Sequence, residues 1–272
     1  MIQDALTHLR KHDIPNARLA VILGSGLGTF ADDLADPIII ETAQIPNYPV
    51  STVEGHDGRL VFGFWKKTPV VAIKGRTHYY EGYSQKQVTF IVRILQALGI
   101  TTLIVTNAAG GVNRRLKPGD LMLITDHINF MFANPLIGPL EYGGLRFPDM
   151  SAPYSMEYLK VVEEAAFSKG IFLKKGTLYT SSGPSYETRS EIKMIEKFGA
   201  DAVSMSTVPE VIVANHAGLS VIGISCITNM ATGLGNNPLS HTEVTRTAQL
   251  VKKKFIYLVT GIIEKLEMSK GF

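Results

Sequence analysis

Cysteine is almost missing from this chain: Cys226 is the one thiol among 272 residues. No disulfide can form within a single chain, which suits a reducing cytosol and sets the expectation of a cytoplasmic protein. Cys226 lies in the apolar stretch SVIGISCIT, where a buried, unreactive thiol is a better reading than a nucleophile. An excess of one charge is also missing. Lysine and arginine number 27, aspartate and glutamate 24, the net charge is +3, and no basic run exceeds the Lys252 to Lys254 triplet. Nucleic acid and membrane surfaces are therefore not the expected partners. No apolar run approaches the roughly 20 residues needed to span a bilayer. The opening MIQDALTHLRKHDIP is charged and amphipathic and lacks the apolar stretch of a signal peptide. There is no HExxH or CxxC and the seven histidines are scattered, so no metal is expected. Nucleophile elbow, Walker loop, internal repeat and low-complexity linker are all lacking. Catalysis, if present, has to come from positioning and electrostatics.

What is present is ample core and punctuation: 45% hydrophobic residues, 25 glycines and 13 prolines, enough for one large globular domain or two small ones. Short β-branched runs alternate with longer segments of helical period, the order of elements of an α/β protein. Strands are expected at 19–23, 37–41, 59–65, 69–74, 102–107, 120–128, 176–181, 201–205 and 220–228, and helices at 85–98, 156–168, 188–198, 207–217 and 241–267. The last helix is the clearest, with Val244, Ala248, Val251, Phe255, Leu258, Ile262 and Leu266 on one face and a capping box from Ser240 to Glu243. The pattern predicts a single domain over residues 1–272: a central mixed, largely parallel twisted sheet flanked by helices. Residues 129–154, rich in proline, glycine and aromatics, have no period, and a loop that long is usually functional or at an interface.

Several strand ends carry chemistry. Gly24-Ser25-Gly26-Leu27-Gly28 follows a strand and lets backbone N–H groups converge on an anion such as phosphate. It fails as a dinucleotide fingerprint, because Thr29 stands where glycine or alanine is required, and a purely structural turn is the alternative. Arg76 and His78, in GRTHYYEGY, follow the strand PVVAIK and make a natural cradle for a phosphate dianion, although either alone is more often a solvated surface residue. His56, in EGHDGR, is either a turn histidine or part of that group. Asn107-Ala108-Ala109-Gly110-Gly111 closes another strand with residues small enough for close approach. Glu187 precedes a helix and is either a cap or a ligand-facing carboxylate. Met205-Ser206-Thr207 offers a hydroxyl and free N–H groups where a helix begins. Thr228-Asn229 ends a strand, and His241, in the first turn of the last helix, should stay neutral and accept a hydrogen bond.

Taken in order, GSGLG, GHDGRL, GRTHYYEGY, TNAAGG, GPSYET, VSMSTVPEV and ITN, with a histidine opening the last helix, closely resemble the trimeric, low-molecular-mass purine nucleoside phosphorylases. The resemblance covers about residues 20–245. It implies the nucleoside phosphorylase fold and reversible phosphorolysis of inosine and guanosine, and of their deoxy forms, a pentosyl transfer of purine salvage. Phosphate is a co-substrate, no cofactor is needed, and the assembly is a homotrimer. By this resemblance Ser25, His56, Arg76, His78, the backbone of Ala108 and Ser206 form the phosphate site. Tyr80, Met205, His241 and, from a neighbouring subunit, Tyr142 contact the ribose. Tyr186, Glu187, Val203 and Asn229 contact the purine, with His56, His78, Glu187 and Asn229 the catalytic set.

Three rivals remain at this stage. A methylthioadenosine phosphorylase shares the fold but commonly carries Asp in place of Asn229. A nucleoside hydrolase would not need Arg76, His78 and Ser206, and a nucleotide-binding module without activity would leave Glu187, Asn229 and His241 without a task.

Overall fold

Residues 1–53, 57–235 and 239–270 are described by a computed structural model, with the side chains of His241 and Lys270 outside that description. Its strands are β1 (Leu19–Leu23), β2 (Ala35–Glu41), β3 (Arg59–Trp65), β4 (Thr68–Lys74), β5 (Thr102–Gly111), β6 (Leu121–Asn129), β7 (Leu173–Thr180), β8 (Ala202–Ser204) and β9 (Ser220–Met230). Its helices are α1 (Ile2–Leu9), α2 (Gln85–Val88), α3 (Phe90–Ala97), α4 (Met156–Ser168), α5 (Arg189–Lys197), α6 (Val208–His216) and α7 (His241–Lys270). The strands form one mixed sheet in the order β2-β3-β4-β1-β5-β8-β7-β6-β9, and β9 pairs back onto β5. The last five strands therefore close on themselves, and β5 belongs both to the open wing and to the closed part. Pairings of β1 with β4 and β5, of β5 with β9 and of β7 with β6 and β8 are parallel, and the remainder antiparallel.

Helices cover both faces, as expected for strands that are apolar throughout. On one side α1, α3 and α6 pack over Ile22, Leu103 and Val105. On the other, α4 and α7 bury Tyr158, Val162, Phe255, Leu258 and Ile262 against Val21, Ile104 and Ile224. The expected apolar face of α7 is the one that is buried. A third, smaller cluster seats α5 through Ile192 and Ile195 on Tyr179 and Val203. Cys226 is fully buried, and burial pushes its thiol up to about 12, in keeping with an inert side chain.

The differences from the sequence reading are local. The helix expected at 85–98 is broken at Thr89, whose hydroxyl donates to the Gln85 carbonyl at 2.8 Å and competes with the helical ladder. The amino-terminal amphipathic segment, assigned to no element from sequence, forms α1 and buries Ala5, Leu6 and Leu9. Strand β5 continues through Asn107-Ala108-Ala109-Gly110-Gly111, where the strand was expected to end at Asn107. It continues because β9 pairs with it along its whole length, so glycine's weak strand preference is overridden. Residues 130–155 hold no helix or strand, as expected of the long loop.

Strands β1 and β5 come very close where β1 ends. A Cβ built on Gly24 would sit 2.7 Å from Asn107 Cα and 3.0 Å from the Thr106 carbonyl oxygen, so only glycine fits. Gly24→Ala should cost about 1 to 3 kcal/mol through backbone displacement and lower Tm by several degrees. Calorimetry that found Tm unchanged would contradict this account of the β1–β5 approach.

Candidate active site

The close approach at Gly24 has a consequence on the same edge of β5. β1 pairs with β5 only as far as Ile22 with Val105, and β8 takes over only at Val203 with Gly110. Over the intervening residues β5 has no strand on that side, and the chain of β1 leaves through a turn closed by Leu27 N donating to the Gly24 carbonyl at 3.0 Å. Gly26, at φ 75°, makes that turn possible and lets Ala248 of α7 pack against it. Thr106 Oγ1 ties the two strands, accepting from Gly24 N and donating to the Ile22 carbonyl, each at 3.0 Å. A cavity of about 340 Å³ opens in the gap. Ligands of open α/β sheets bind at such breaks in strand order.

Ser25, Arg76, His78, Tyr80, Ala108, Tyr186, Glu187, Val203, Met205, Ser206 and Asn229, all singled out from sequence, line this one cavity. His56 and the His241 side chain lie outside the described residues. Tyr142 is elsewhere: its ring lies under the Arg93 guanidinium, 5.0 Å from centroid to Arg93 Cζ, beside a smaller cavity of about 80 Å³ beneath the long loop.

One end of the cavity is cationic. Arg76 Nη1 donates to Ser206 Oγ at 3.1 Å, while Nε lies 2.6 Å from Glu210 Oε1. His78 Nδ1 is 3.0 Å from Glu81 Oε1, and His78 N donates to the same oxygen at 2.7 Å. Glu81 also accepts from Thr52 N and Oγ1, and these bonds outweigh its burial and hold its carboxyl down to about 2. Burial lowers the His78 pKa, against the opposing pull of Glu81, so the imidazole is neutral near pH 7. Ionised Glu81 assigns the His78 proton to Nδ1, which leaves Nε2 to act as an acceptor. Tyr80 stacks on His78 with ring centroids 4.6 Å apart and 13° between planes.

Ser206 is placed by a strained backbone. Thr207 has φ 81° and ψ −53°, and Val208 N donates to the Ser206 carbonyl at 3.0 Å, a γ-turn of the rare positive-φ hand. Such strain costs on the order of 1 to 3 kcal/mol and persists only where neighbours enforce it. Here Asn107 Nδ2 donates to Thr207 Oγ1 at 2.9 Å and Thr180 Oγ1 to the Ser206 carbonyl at 3.2 Å.

The other end holds a carboxylate and an amide. Glu187 is not a helix cap, because Thr188 caps α5 and Glu191 completes the capping box. Instead Glu187 Oε1 accepts from Ser181 Oγ at 2.8 Å, and burial raises its pKa. Asn229, 5% exposed, donates through Nδ2 to Thr228 Oγ1 at 3.3 Å. Its Oδ1 lies only 3.1 Å from where a Gly110 Cβ would stand, so glycine there leaves room for the amide. Val203 and Tyr186 supply apolar and aromatic wall.

The sequence reading missed Glu81, Glu210 and Ser181. Glu81 had a signal, since a glutamate three positions on is spaced to reach back to the first residue's backbone N–H, as Glu81 does to His78. Glu210 and Ser181 had none, because their partners are distant in sequence or lie across a turn. Among the described residues no group of three or more potential metal ligands occurs.

Fold and cavity define an α/β protein in which one cavity brings together a buried strand-end arginine, serine hydroxyls, a carboxylate and an amide. Residues 18–264 match the phosphorylase superfamily. The chain is 52% identical over 259 residues to purine nucleoside phosphorylase 1 of Bacillus subtilis, covering 94% of this chain and 96% of that one. A crystal structure of Schistosoma mansoni purine nucleoside phosphorylase in complex with inosine superposes with a TM-score of 0.91 at 36% identity, over 97% of this chain and 96% of that one. The same enzyme in complex with adenosine superposes with a TM-score of 0.90 at 37% identity and the same coverage. The chain belongs to the purine nucleoside phosphorylase family of the phosphorylase superfamily.

Glu187 sets a stability test without substrate. Its folded pKa lies above the unfolded value near 4.5, so the fold favours the neutral acid. That preference is fully present below the unfolded value and is lost as pH rises through the folded one. Glu187→Gln should therefore raise Tm of the ligand-free protein at pH 7 to 8, with the gap closing as pH falls toward 4.5. A gap that widened on acidification would contradict the burial argument.

Proposed function

We propose that this cavity carries out the reversible phosphorolysis of 6-oxopurine nucleosides, inosine and guanosine, giving free base and α-ribose 1-phosphate. The observation that carries the reading is the presence, in one cavity, of the Arg76–His78–Ser206 group and the Glu187–Asn229 pair. Breaking the C1′–N9 bond leaves positive charge on the sugar and negative charge on the purine, so a site needs an anion below the sugar and polar partners around the base. Phosphate on Arg76, Ser25, Ser206 and the Ala108 backbone meets the first need, with neutral His78 able to accept the proton of a hydrogenphosphate. One phosphate oxygen forms the new bond to C1′ as the bond to N9 breaks, with inversion, and the electron pair leaves on the purine. Asn229 toward O6 and N7, and Glu187 accepting from N1–H, meet the second need, while Tyr80 and Met205 flank the sugar between. Holding both reactants in line removes much of the entropic barrier. His56 and His241 keep the roles beside phosphate and at the ribose 5′-hydroxyl that the family resemblance gives them.

Methylthioadenosine phosphorolysis is less well supported, since the relatives are purine nucleoside phosphorylases and position 229 is asparagine. We read residues 1–272 as one catalytic domain, supported by the single sheet. No cofactor enters this chemistry. Among the described residues no helix is long and apolar enough to cross a membrane, and with one buried thiol we assign the protein to the cytoplasm.

A homotrimer is the reading of the long loop, which holds Phe132 and Phe147 each 88% exposed and carries Tyr142 away from its own subunit's cavity. Exposed aromatics of that kind mark interfaces. Light scattering should give about 90 kDa, three chains of 29.7 kDa, and a fully active monomer would rule the trimer out.

Turnover should depend strictly on phosphate. Arg76→Ala should raise KM for phosphate by roughly tenfold or more with a much smaller change for nucleoside, since a charge-assisted contact is lost at the anion end alone. Equal turnover of inosine in phosphate-free buffer would make the protein a hydrolase.

Base choice follows from donor and acceptor matching. Ionised Glu187 accepts only, so it pairs with the N1–H of hypoxanthine or guanine and faces the lone pair at N1 of adenine. That mismatch should cost on the order of 2 to 4 kcal/mol, roughly 30-fold to nearly 1000-fold in kcat/KM. Because a relative binds adenosine, affinity alone is not the measure. Asn229→Asp should narrow the inosine-to-adenosine gap in kcat/KM, and native values within about threefold of each other would refute this role for the pair.

A further inference from the structure

Arg76 is held at two points by one short piece of chain. Ser206 Oγ takes Nη1 at 3.1 Å, and Glu210 Oε1 stands 2.6 Å from Nε. Only Thr207, Val208 and Pro209 separate these two residues, and all three resist bending. Thr207 is fixed by its γ-turn and by Asn107, Val208 is wholly buried, and Pro209 stiffens the first turn of α6, on which Glu210 sits. The side chains of Arg76 and Glu210 are 4% and 1% exposed. Glu210 is not part of the cavity wall, so substrate does not touch it.

We propose that Glu210 is a positioning residue of the phosphate site: its buried carboxylate, ion-paired with Nε, holds the Arg76 guanidinium where Ser206 also meets it, so that the fork is presented ready-made to the incoming anion. This rests on reading the cavity as that of a phosphorylase. Charge is not the reason for the glutamate. A carboxylate against the guanidinium cancels part of the positive field that would draw in phosphate, and a buried ion pair gains little after its desolvation. What the contact supplies is placement of the guanidinium beside Ser206, which a planar fork needs more than a point charge does. Glu210 also acts on one reactant only, because its ion pair is with Arg76, at the anion group of the cavity.

Two variants of the full chain separate geometry from charge. Glu210→Asp keeps the charge but draws the acceptor back by about one C–C bond, ~1.5 Å. Glu210→Gln keeps the reach and an acceptor oxygen but removes the charge. In phosphorolysis of inosine, the Asp variant should raise KM for phosphate about tenfold or more while KM for inosine stays within about threefold. The Gln variant should hold both constants within about threefold of the native enzyme. A Gln variant as impaired as Asp would make charge the operative property and overturn the proposal, and so would equal rises in both KM values, the mark of general loosening. If Gln gives no folded protein, the Asp result decides: a phosphate KM within about twofold of native overturns the proposal. A native enzyme indifferent to phosphate would overturn the phosphorylase reading itself, whereas a phosphate-dependent native enzyme with an unaffected Asp variant overturns this proposal alone.

Discussion

The cavity depends on how two strands share one edge of β5. β1 leaves that edge at Gly24, β8 joins it at Gly110, and the cavity is the gap between them. The gap is kept open by close backbone contact, not by bulky side chains. Gly24 lies against Asn107, Thr106 ties both strands through its hydroxyl, and Gly26 lets α7 press on the departing turn. Along this edge the functional groups follow from topology. Ser25 rides on the β1 turn, Arg76 and His78 follow β4, Ser206 follows β8 and Asn229 lies near the end of β9. Residues from four separate stretches of sequence thus meet because their strands end at one place.

The cost of this arrangement is visible in the groups it buries. Arg76 and Glu210 are nearly solvent-free, burial raises the pKa of Glu187, and Thr207 is held in a sparsely populated conformation. None of these would be selected for stability alone, since buried charges and positive φ at a β-branched residue both work against folding. They occur together at one cavity. The large cores on either face of the sheet, with α7 burying nine apolar side chains from Val244 to Leu266, supply the stability that offsets them.

Much of this was legible in the sequence, for identifiable reasons. Strands buried on both faces read as unbroken apolar runs, and α7 carries a helical stripe long enough to leave no alternative. The residues that line the cavity were legible because most sit at strand ends beside a glycine, proline or hydroxyl residue, and because their order matches a family. Glu210 was not legible, being a glutamate in a mostly apolar helix whose partner lies more than a hundred positions away. Nor was the role of Glu187 decided, since the sequence leaves open whether it caps α5 or faces a ligand, whereas in the structure Thr188 is the cap and Glu187 bonds to Ser181. The extension of β5 through two glycines was hidden for a similar reason: pairing with β9 overrides local preference, and pairing is not a local property.

The central claim is that an oxygen of phosphate held at Arg76, His78 and Ser206 becomes the new substituent on C1′. Phosphorus-31 NMR of the products from inosine and phosphate carrying ¹⁸O at all four positions tests it directly. The account predicts α-ribose 1-phosphate that retains all four labels, including the oxygen bridging to C1′. Free ribose beside unconsumed, fully labelled phosphate, or a sugar phosphate whose bridging oxygen is unlabelled, would contradict it.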